Sequence, residues 1–186
     1  MSKFRNIRAS SLGMTMLAGC VAFAMPLWGA GAPESDHISQ VLSDAKLQAF
    51  QLKEDADKLE SFTHSNAAWE THSDVISRIR EDVNKMGRLL ATLQNDRASA
   101  AAWQQTAIDR VMPVAKELAS NTTAAIERLN KNPRLLNTPD YQNYLEAIGD
   151  SANNLAGTIS NFVDYGKTRQ RLERLAAKLE LPAGTM

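Results

Sequence analysis

The chain has 186 residues, with 21 basic and 21 acidic side chains, 44% apolar residues and one cysteine. Balanced charge gives no field for nucleic acid, and a lone cysteine excludes an internal disulfide, so stability has to come from a hydrophobic core.

The first 32 residues carry the three-part layout of a secretory signal peptide. Lys3, Arg5 and Arg8 form a basic head, residues 12–28 contain no charge, and the small residues 29–32 follow. Within this segment Leu17-Ala18-Gly19-Cys20 resembles a bacterial lipobox, in which the cysteine would be lipidated and become the new N-terminus. The stretch 21–28 is apolar, however, and would make a poor linker at a bilayer surface. Simple cleavage is therefore favoured, after Ala32 or, because Pro33 follows, between Gly31 and Ala32. Residues 33–186 then form one domain of about 154 residues with 18 basic and 21 acidic side chains and no cysteine. No second apolar run reaches the roughly 18 residues of a membrane helix.

Four helices are predicted, over about 35–63, 67–95, 99–131 and 139–180. In the first, Ile38, Ala45, Leu52 and Leu59 recur every seven residues, with Val41, Leu42, Ala49, Ala56 and Phe62 widening the stripe. Glu54, Asp55, Asp57 and Glu60 read as a solvated stretch of it. In the second, Trp69, His72, Ile76, Ile79, Val83, Met86, Leu90 and Leu93 step by three and four, the seam of a bundle helix. In the third, Trp103, Ala107, Val111, Val114, Leu118, Thr122, Ala125 and Leu129 form the stripe, and Pro113 predicts a kink near Asp109. Thr138-Pro139-Asp140 announces the fourth as N-cap, first-turn proline and dipole-complementing acid. Its seam runs Tyr141, Leu145, Ile148, Ala152, Leu155, Ile159, Phe162, Gly166, and Leu172, Leu175 and Leu179 are read as carrying it to a stop at Pro182.

The expected fold is all-α, an antiparallel up-down-up-down four-helix bundle with a long fourth helix. Trp69 and Trp103 should plug its opposite ends. Gly166 on the seam points to a close helix approach, whereas Gly149 and Gly157 have no evident reason.

Motifs for chemistry are missing. There is no Cys-x-x-Cys-His, no Glu-x-x-His, no Gly-rich phosphate loop and no nucleophile elbow, so no catalytic residue, metal site or cofactor is assigned. His72 and His64 are weak candidates for a shallow Zn or Cu site, and His72 reads better as a hydrogen-bonded histidine. Interaction potential concentrates at the end of the fourth helix. There Lys167, Arg169, Arg171, Arg174 and Lys178 face only Glu173 and Glu180, for a net +3 over 167–180, beside Leu172, Leu175 and Leu179.

The sequence thus predicts an exported, non-enzymatic binding module of the bacterial cell envelope, periplasmic or secreted. It would meet a protein partner or a second copy through the end of helix four, with no nucleic acid, and a membrane only if Cys20 is lipidated. The competing expectation is a small-ligand or metal carrier using the bundle interior or its His72 end.

Overall fold

The computed structural model describes residues 33–62, 68–132 and 136–180. The N-terminal segment with Cys20, His64 and Pro182 lie outside these residues. Among the described residues, 93% are helical and none is in a strand. Four long helices pack against each other: α1 (Asp36–Ser61), α2 (Trp69–Asp96), α3 (Ala102–Lys131) and α4 (Pro139–Lys178), with a single 3₁₀ turn, Arg97–Ser99, joining α2 to α3. Each helix packs on its two neighbours in the cycle α1, α2, α3, α4.

The seams account for the packing. Ile38, Leu52, Leu59, Ile76, Ile79, Met86, Leu93, Ile108, Leu118 and Leu145 are all sealed in one core. Burying each such side chain is worth about 1.5–3 kcal/mol relative to exposure, which makes this cluster the main source of stability. Local signals place the ends. Ser35 accepts from the Ile38 N–H at 3.3 Å as N-cap of α1, and Pro139 sits in the first turn of α4.

Several expectations are corrected. Trp69 is 45% exposed and plugs nothing, while Val83 is only half-buried; Val75 and Asp82 join the buried face of α2. Asp82 is retained there by Lys85 one turn on, at 2.8 Å. Asp55 is not solvated: it is buried, 3.6 Å from Arg78 of α2 and within reach of Gln51. As expected of helix three, α3 runs through Pro113, from Ala102 to Lys131. α4 stops at Lys178, ahead of Pro182, and Glu180 takes the left-handed conformation at φ 55°. That position after a helix usually falls to glycine.

Gly166 and Gly157 of α4 differ in their surroundings. A Cβ on Gly166 would lie 2.7 Å from the Trp103 ring, so this glycine permits the close approach the seam implied. A Cβ on Gly157 would meet nothing within 4 Å. Gly157→Ala is therefore expected to stabilise the protein by about 1 kcal/mol through helix propensity alone, read as a raised midpoint of urea unfolding.

Candidate functional site

Two polar clusters and one exposed face stand out among the described residues. The first cluster joins the start of α1, the start of α3 and the last turns of α4. Gln104 is fully buried and uses its whole amide. Its Oε1 accepts from the N–H groups of Ser35 (3.2 Å) and Ala101 (3.0 Å), and its Nε2 donates to the Ser35 carbonyl (2.9 Å) and Ser39 Oγ (3.0 Å). One side chain thus satisfies donors that helix starts leave open on two helices. Beside it the Trp103 indole lies on Gly166 and meets Tyr165 edge-on, with ring centroids 5.6 Å apart. Gln170 of α4 donates to Glu34 Oε1 at 3.1 Å. A solvent-open cleft of about 280 Å³ lies among Glu34, Ser39, Trp103, Gly166 and Gln170. A second, of about 360 Å³, lies between α3 and α4 beside Trp103, Arg110, Phe162 and Tyr165. Trp103 Nε1 and Glu34 Oε2 are buried without a hydrogen-bond partner among the described residues.

The second cluster holds His72. Its ring is 3% exposed, packs against Phe62 at 5.4 Å and shares a 3.3 Å hydrogen bond between Nδ1 and the Tyr141 hydroxyl. Burial lowers the His72 pKa below its ordinary 6.5 and pushes the Tyr141 phenol up to about 12. No group of three or more His, Cys, Asp or Glu able to hold a metal occurs among the described residues. What the arrangement can do is keep a neutral imidazole in the core. Because the unfolded chain takes up the proton more readily, His72 contributes stability that is fully present above pH 6.5 and is lost as pH falls through its lowered folded value. Acidification below 6.5 is expected to lower the melting temperature, and His72→Gln is expected to flatten this dependence; melting curves across pH check it.

The exposed face is the end of α4. Beyond Gln170, residues 171–180 are all exposed except Ala176, which is half-buried. The eight residues to Lys178 extend about 12 Å past the Glu34 contact at 1.5 Å per residue. Leu172, Leu175 and Leu179 are 42%, 45% and 64% exposed. They do not continue the seam, contrary to expectation. The step from Gly166 to Leu172 is six residues, where a seam requires three, four or seven. At about 100° per residue, the leucines lie roughly 170° from the buried Ile159, Val163 and Gly166.

Charge is arranged around that stripe. Arg171, Lys178, Lys167 and Arg174 fall within an arc of about 60° on one flank. Arg169 and Glu173 pair at 3.2 Å on the other. Tyr165, 49% exposed, continues the stripe one step toward the bundle. Further back the same outward face carries Asn143, Asp150, Asn154 and Asn161, all exposed. The apolar character of the outer face is therefore confined to the last four turns. All eight residues singled out at this end are brought together on one projecting helix. Tyr165 was missed by sequence reasoning, although its spacing of seven from Leu172 marks it.

Comparison with family models, curated proteins and solved structures finds no match to this chain.

Proposed function

We propose that this chain is an exported, non-enzymatic helical module of the bacterial cell envelope, whose working part is the projecting end of α4. The observation that carries the reading is the exposed stripe of Leu172, Leu175 and Leu179, turned away from the core and flanked by Lys167, Arg171, Arg174 and Lys178. Apolar side chains set on a projecting helix beside a row of cations are a common form of recognition surface. Export rests on the signal-like layout of residues 1–32, with cleavage favoured over a lipid on Cys20.

The bundle reading is antiparallel, up-down-up-down. Three pairings support it for α1 and α4: Glu34 with Gln170, Lys46 with Asp164 and Glu60 beside Gly149 climb one helix while descending the other. Trp103 against Gly166 and Arg128 with Asp140 do the same for α3 and α4.

A carrier function ranks lower. Ile, Leu, Val and Met side chains occupy the space between the helices, and the clefts beside Trp103 open on the surface. The His72 end offers a hydrogen-bonded aromatic cluster and no ligand set among the described residues.

Photo-crosslinking in intact cells tests the interaction reading. A photoreactive residue in place of Leu175 should form adducts, and the same residue in place of Asn143 on the polar part of the outer face should not. Adducts at neither position, or equally at both, would remove α4 as the working part.

A further inference from the structure

The partner of the α4 end follows from its chemistry. We propose that it is an anionic phospholipid surface, which the last four turns of α4 contact in the plane of the headgroups. The inference rests on the reading of this end as an interaction surface. Basic amphipathic helices bind lipid by burying one apolar face at the acyl boundary while flanking Lys and Arg remain among the headgroups. Leu172, Leu175 and Leu179 form such a face, and Arg171, Lys178, Lys167 and Arg174 line its edge. Tyr165 stands at its bundle-proximal limit, with an aromatic body and a polar tip suited to an interface.

Three observations favour lipid over a second copy. The segment 167–180 carries net +3, so two copies would repel while an anionic bilayer attracts. A stable protein interface takes roughly 800 Å² from each partner. Three leucines on the ten residues past Gln170, with a half-exposed Tyr165 at the bundle edge, fall well short of that, whereas lipid demands no matching surface. The outer face upstream of Tyr165 is polar, so apolar insertion is limited to the last four turns while the rest of that face stays in water.

The test uses the mature protein purified after export, with an environment-sensitive fluorophore on Ala176→Cys, compared with the fluorophore on Asn154→Cys. With vesicles containing phosphatidylglycerol, emission at position 176 should shift to the blue, and high salt should reverse the shift. Vesicles of phosphatidylcholine alone should leave it unchanged, and position 154 should respond to neither. Each Lys or Arg near an anionic surface is worth about fivefold in partition, so adding Arg171→Gln and Lys178→Gln should weaken the lipid titration about 25-fold. Both residues are exposed, so melting should be unaffected. No shift at position 176 with anionic vesicles, or an equal shift with neutral ones, overturns the proposal. A shift that needs no vesicles and grows with protein concentration assigns the face to a second copy, overturning the lipid proposal alone. Crosslinks from position 175 to protein without any lipid response do the same; neither crosslinks nor lipid response overturns the interaction reading as well.

Discussion

Trp103→Ala is expected to cost about 3–5 kcal/mol of unfolding free energy, the largest single loss considered for this chain. The indole is buried where α3 meets α4, with its ring edge against the bare backbone of Gly166 and a T-shaped contact to Tyr165. Interiors are packed closely enough that such a volume cannot be refilled by small adjustments. The complementary change, Gly166→Ala, pushes a methyl to 2.7 Å from the Trp103 ring and is expected to cost about 1–3 kcal/mol. In the Trp103→Ala background that penalty should vanish, because the ring that the methyl meets is gone. Urea unfolding of the two single variants and the double variant measures the coupling. Strict additivity would mean that the indole is not what limits position 166.

Gln104→Leu is the second large effect, expected to cost on the order of 3 kcal/mol. Leucine fits an apolar site of similar size, so the loss lies in the partners. The Ser35 and Ala101 N–H groups lose their acceptor, and Ser39 Oγ and the Ser35 carbonyl lose a donor. A buried donor without a partner is costlier than the bond it once made is favourable. Amide hydrogen exchange should accelerate at Ser35 and Ala101 well before the helix centres respond. A loss under about 0.5 kcal/mol, the range of neutral surface changes, would mean water replaces the amide.

The four helices were legible because their buried positions obey steps of three and four, and packing does not override a pattern that long. Ile76, Ile79, Met86, Leu90 and Leu93 are buried as their spacing requires. What escaped depended on partners from other helices. Asp55 reads as solvated until Arg78 is placed across from it, and nothing in the sequence singles out Gln104 before Ser35 arrives beside it. Trp69 and Trp103 occupy equivalent early positions in their helices. Gly166 makes room for one, and the other is 45% exposed. The phase of the three leucines is a different case. The six-residue step from Gly166 to Leu172 stood in the sequence, and only the pull of a continuing seam obscured it.

That phase decides whether the end of α4 packs or binds, and one measurement separates the two. The variant Leu172→Gln, Leu175→Gln, Leu179→Gln keeps helix propensity nearly constant while removing the apolar stripe. With the leucines facing away from the core, equilibrium unfolding of this variant should match the parent chain within about 0.5 kcal/mol. Leucines buried over the bundle end would each cost about 2–5 kcal/mol on replacement. A loss of that size would contradict the account and return the stripe to the core.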